Sequence, residues 1–82
     1  MSTTKWVLLK TSDGDRGENG KQKVYEVTVS PDGTVTFQWG MAEKSTRQTK
    51  KVYTGAEWRG RQEAIVQVNK KLDKGYRLAY TA

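Results

Sequence analysis

The side chains in this chain best suited to chemistry are cations and aromatic rings. Lys44, Arg47, Lys50 and Lys51 follow the dipeptide Trp39-Gly40, and Lys70, Lys71, Lys74 and Arg77 form a second group, with Arg59 and Arg61 between the two. Ammonium and guanidinium groups at this density attract phosphate, and they do so without demanding a particular sequence in a polyanionic partner. Trp39, Tyr53, Trp58, Tyr76 and Tyr80 are interleaved with the charge. An aromatic face beside a cation offers a stacking surface for an exposed base or sugar.

The distribution of charge sharpens this. The 82 residues carry a net charge of +6, yet residues 1–41 hold five Lys/Arg against five Asp/Glu. Residues 42–82 hold ten against four, so the whole excess follows Trp39-Gly40-Met41. A polyanion is the partner class that such an asymmetry points to.

What is missing excludes other chemistry. With no cysteine there is no disulfide framework or thiolate metal site, and with no histidine the commonest general base and metal ligand are absent. Zinc sites and Ser-His or Cys-His nucleophile pairs are excluded. No Walker loop, dinucleotide glycine pattern or paired carboxylates appear, so no enzyme activity, cofactor or small-molecule substrate is expected. Asp13, Asp15 and Glu18 resemble the start of a calcium loop, but Gly17 occupies a ligand position and no glutamate closes it. An ordinary solvated loop is expected there, and no metal.

The longest apolar run, Trp6-Val7-Leu8-Leu9, is far shorter than a membrane span or signal-peptide core. An intracellular, cytoplasmic protein with no membrane partner is expected.

These side chains need elements to hold them. Residues 5–10 read as an inner strand, apolar on both faces. Residues 23–29 alternate, with Tyr25, Val27 and Val29 on one side, and residues 34–39 alternate with Val35, Phe37 and Trp39. Ser30-Pro31-Asp32-Gly33 between them predicts a hairpin built on a type I turn. Residues 40–46 read as a loop, and residues 47–53 as a strand carrying a stripe of Arg47, Lys50 and Lys51. Periodicity alone makes Trp39 a core residue; its place at a strand end leaves a ring edge or face exposed.

Thr54-Gly55-Ala56-Glu57 has the spacing of a capping box. The helix after it shows Trp58, Ile65, Val68 and Leu72 as an apolar stripe with Ala64 beside it, a Glu57–Arg61 pair and a stop at Gly75. Tyr76, Leu78 and Tyr80 are expected to fold back onto the sheet or helix. The sum is one α+β domain over residues 1–82, a small antiparallel sheet covered on one side by a single helix.

The segment Lys23–Gly40, with Gln48 before a polar strand and a helix ending Asn69-Lys70-Lys71-Leu72-Asp73-Lys74-Gly75-Tyr76, resembles a WGR domain over roughly residues 5–78. That family, named for a Trp-Gly-Arg signature, occurs in DNA-dependent poly(ADP-ribose) polymerases and in small bacterial or phage proteins. The resemblance implies a curved antiparallel sheet embracing one helix. It also implies DNA binding near strand breaks, with Trp39 as the residue packing on a sugar and Gly40 as the turn presenting it. Three positions depart from the pattern. Met41 stands where the family has arginine, Gln38 where a basic residue often precedes the tryptophan, and Arg47 where glycine is usual. No catalytic domain accompanies the signature, so ADP-ribosylation is not implied.

Residues and resemblance together give Trp39, Gly40, Lys44, Arg47, Gln48, Lys50, Lys51, Lys70, Lys71 and Lys74 as candidate nucleic-acid contacts. The expected function is non-enzymatic DNA binding with little sequence preference, at ends, nicks or single strands. A protein-interaction or regulatory domain that has lost DNA recognition is the alternative, motivated by Met41. Binding to a membrane surface ranks third, because the sheet needs the helix's apolar stripe.

Overall fold

The turn chemistry at residues 30–33 closes the fold's central hairpin. Gly33 N donates to the Ser30 carbonyl at 2.9 Å, and Ser30 N donates to that of Thr34 at 2.9 Å. Gly33 takes φ 90°, a left-handed conformation open to glycine at little cost. Asp32 Oδ1 accepts from Thr34 N at 2.9 Å, and that bond holds the Asp32 carboxyl below its usual range.

The computed structural model describes residues 3–11 and 22–82; the loop carrying Asp13, Asp15 and Glu18 lies outside them. Its elements are β1 (Thr4–Thr11), β2 (Gln22–Val29), β3 (Thr34–Met41), β4 (Gln48–Tyr53), α1 (Glu57–Asp73) and β5 (Arg77–Thr81). The strands form one open antiparallel sheet in the order β4-β3-β2-β1-β5, and α1 packs on one side of it. This is the expected α+β architecture, with β1 an inner strand. Among the described residues no helix is long and apolar enough to cross a membrane.

Alternation assigns the faces. Leu8, Tyr25, Val27, Val29, Val35 and Phe37 point to the helix and form the core with Ala64 and Val68. On the other face Val7 and Val24 are also buried, beside an ion pair of 2.8 Å between Lys5 and Glu26.

Several expectations are corrected. The C-terminal tail folds back onto the sheet as expected, but as a fifth strand, β5, paired with β1 across a register shift at Val7/Leu8. Residues 40 and 41 are not loop: β3 runs on through them, with Val24↔Gly40 and Lys23↔Met41 in register. Gly40 is therefore no turn. An added Cβ there would meet the Thr46 carbonyl oxygen at 2.9 Å, so a side chain at this position would press on the 42–47 loop.

The capping box is not formed either. The N-cap is Ala56, with no side-chain cap bond. The Thr54 hydroxyl instead donates to the Gly33 carbonyl at 2.8 Å and lies 3.0 Å from that of Ala56. It ties the start of the helix to the hairpin. The Glu57–Arg61 pair forms, at 3.7 Å.

The inward stripe of α1 holds the expected Val68 and its neighbour Ala64 but otherwise differs. Gly60, Ala64 and Val68 are buried, whereas Trp58, Ile65 and Leu72 are 59%, 49% and 39% exposed. Size explains the choice. A Cβ on Gly60 would lie 2.8 Å from the Gly33 carbonyl oxygen and 3.0 Å from a Val29 methyl, so the helix approaches the sheet on its smallest side chains. The large apolar residues are left on its outer side.

Candidate nucleic-acid interface

Tyr25 is the hub of the site. It faces the helix from β2, directly opposite Trp39 on β3, and the two rings stack at 6.2 Å between centroids with planes 29° apart. Phe37, on the same face, lies 6.2 Å from Tyr25. Aromatic pairs at these separations contribute beyond the area they bury. Trp39 is half-buried, packed against the core by one side.

The helix ending supplies the fourth ring. Tyr76 N donates to the Lys71 carbonyl at 3.0 Å and Gly75 N to that of Leu72 at 3.1 Å. This is the double bond pattern of a Schellman stop, with Gly75 at φ 98°. The stop turns the chain so that Tyr76 meets Tyr25 edge-on, at 6.2 Å and 62°. The four rings border a cavity of about 230 Å³ between sheet and helix, with Lys50 on its sheet side and Glu63, Gln67 and Lys71 on its helix side. A second hollow of about 270 Å³ lies beyond Trp39, lined also by Lys23, Met41 and Tyr76. Trp39 thus borders both.

Cations surround the rings. Lys71 Nζ sits 4.6 Å from the Tyr25 ring centre and 5.7 Å from that of Tyr76, and Lys10 Nζ is 5.7 Å from Tyr76. An ammonium over a ring face is attracted by the ring quadrupole. Lys10 and Lys23 are direct cross-strand partners, a like-charge pairing that destabilises a sheet. Burial, then the charges of Lys74 and Lys10, push the Lys71 ammonium below its usual range. Burial raises the Tyr25 and Tyr76 phenols, with Tyr76 adding to the rise at Tyr25. Among the described residues the ion pairs are Lys5–Glu26 and Arg61–Glu57, so no carboxylate there is ion-paired with this cluster, and Glu63 is the one acid lining its cavity. Such an arrangement is unfavourable alone and favourable beside an anion.

The candidate contacts divide by position. Trp39, Lys50, Lys71 and Lys74 come together at this end of the domain, and Gln48 pairs with Trp39 in register. Lys51 follows Lys50 in an extended strand and so points to the opposite face, where its charge blunts the free edge of β4. The predicted stripe of Arg47, Lys50 and Lys51 is thus split. Lys70 is exposed on the helix, and Lys44 is exposed in the 42–47 loop. Arg47 Nη1 donates to the carbonyls of Met41 (3.0 Å), Thr46 (3.1 Å) and Lys44, stapling that loop.

Sequence reasoning assigned no role to Lys10 or Lys23, placed Tyr25 only on a strand face, and named Tyr76 as a stacking surface without including it among the candidate contacts. Tyr25 was legible in its face-sharing with Val27 and Val29, and Tyr76 in its place after Gly75. Lys10 and Lys23 were hidden in the electroneutral half. Comparison with protein-family models, with curated proteins and with solved structures found no match to this chain.

Proposed function

We propose that this chain is a non-enzymatic nucleic-acid-binding module that holds DNA, acting inside the cell, with little preference for sequence. One observation carries the reading. Lys10, Lys23, Lys50, Lys71 and Lys74 gather around the Tyr25–Trp39–Tyr76 rings at one end of the domain. Lysines take phosphates, and the rings take what a duplex keeps stacked, an unpaired base or a terminal sugar. The resemblance to WGR domains supports the same partner. It also supports Trp39 as the aromatic contact, while Lys23 and Lys71 supply positive charge that Met41 does not.

Trp39→Ala tests this. Binding of single-stranded and blunt-ended DNA is expected to weaken by about 1–3 kcal/mol, with a smaller loss on closed circular duplex, measured by gel shift. Equal loss on every ligand would remove the stacking role, and no binding to any ligand would remove the function.

A second reading, protein docking, is favoured by the exposed Trp58, Ile65 and Leu72. Heptad spacing sets them on one side of α1. Ile65→Glu separates the two readings: it leaves DNA affinity unchanged and abolishes any protein association that survives nuclease.

A further inference from the structure

Glu63 is out of place in a surface meant for phosphate alone. It lines the cavity between sheet and helix with Gln67 and Lys71, and the three recur at every fourth residue, one above another along one side of α1. Gln67 Nε2 donates to Glu63 Oε2 at 3.2 Å. The pair therefore holds itself in place and leaves lone pairs on both carboxylate oxygens and the second amide hydrogen for a ligand. A carboxylate repels phosphate and accepts from N–H donors. Across the cavity stand the rings of Tyr25, Phe37 and Trp39. At about 230 Å³ the space falls below the roughly 300–1,000 Å³ of pockets that enclose a drug-sized ligand, and it suits one planar ring system with its sugar outside.

Resting on the DNA-binding reading above, the geometry points to a slot for one unpaired guanine of a DNA strand. The base stacks on the aromatic wall. Its N1–H and exocyclic N2–H donate to Glu63, and O6 accepts from Gln67. The adjoining phosphate meets Lys71 and Lys74 at the helix end. Guanine is the base whose Watson–Crick edge offers two adjacent donors beside an acceptor. Adenine, cytosine and thymine each present only one donor there, with an acceptor next to it facing the carboxylate. The lysines bind any strand; the slot adds preference at one position.

The experiment measures anisotropy of labelled oligothymidylate carrying one central deoxyguanosine, deoxyinosine or deoxyadenosine. Deoxyinosine lacks only the exocyclic amine. The guanine oligomer is expected to bind roughly tenfold more tightly than the inosine one, within the discrimination of a bidentate pair. Glu63→Gln is expected to bring that ratio close to one, with oligothymidylate affinity kept or slightly raised. Equal binding of the guanine and inosine oligomers overturns the slot, as does a ratio that survives Glu63→Gln in a variant with unchanged circular dichroism. In both cases salt-dependent binding of oligothymidylate leaves the proposed function standing. Absence of binding to every oligomer overturns both.

Discussion

The five lysines around Tyr25, Trp39 and Tyr76 make a quantitative demand on salt dependence. Each phosphate neutralised on a single strand contributes about −0.7 to the slope of log affinity against log salt. Lys10, Lys23, Lys50, Lys71 and Lys74 together give a slope of about −3.5, so that raising salt from about 50 to about 200 mM lowers affinity roughly 100-fold. Lys71→Met removes one contact, and the slope becomes about −2.8, with a loss of roughly 50-fold over the same range. Lys51→Met is the control: it removes the same charge from the opposite face of β4 and leaves the slope unchanged. Fluorescence anisotropy with labelled oligothymidylate reads all three proteins. A slope shallower than about −1, or equal changes in Lys51→Met and Lys71→Met, would refute a phosphate site at this end of the domain.

Two further outcomes follow from the packing and from the phenols. Gly60→Ala gains about 1 kcal/mol of helix propensity but drives a methyl against the Gly33 carbonyl, a clash costing about 1–3 kcal/mol. A net loss near 1 kcal/mol lowers the melting temperature by about 5 °C, and a rise would contradict the close approach. Burial and Tyr76 raise the Tyr25 phenol above its ordinary value of 10.0. Its contribution is thus present below that value and lost as pH climbs through the window above it. Tyr25→Phe therefore loses less stability than the parent between about pH 8 and pH 11, as read by urea midpoints. An identical loss would deny the burial of the hydroxyl.

What could be seen in advance follows the range of the interaction. The 30–33 turn and the Gly75 stop rest on residues adjacent in sequence, and the turn chemistry declared both. The inward face of α1 was read correctly only at Val68 and beside it at Ala64, because periodicity weighs apolarity, which favours Trp58, Ile65 and Leu72. Packing on this sheet weighs backbone approach, which favours Gly60 and Ala64. Lys10 and Lys23 enter the site only through the β1–β2 register, a fact about pairing across a connection and not about either residue's neighbours. Lys50 and Lys51 look equivalent in one dimension and become opposites once the strand is extended.

The contact of Gly60 with Gly33 also works as a lever. α1 is close to the sheet at that end, and Lys71, which lines the cavity, lies about 16 Å further along the axis at 1.5 Å per residue. A rigid helix carries a change at its near contact along to its far end. Residues with no part in binding, at the tip of the β2–β3 hairpin, thereby govern how wide the space above Tyr25 and Trp39 is held. Mutations at positions 33 and 60 should change ligand affinity and stability together, whereas mutations at Lys50 or Glu63 should separate the two.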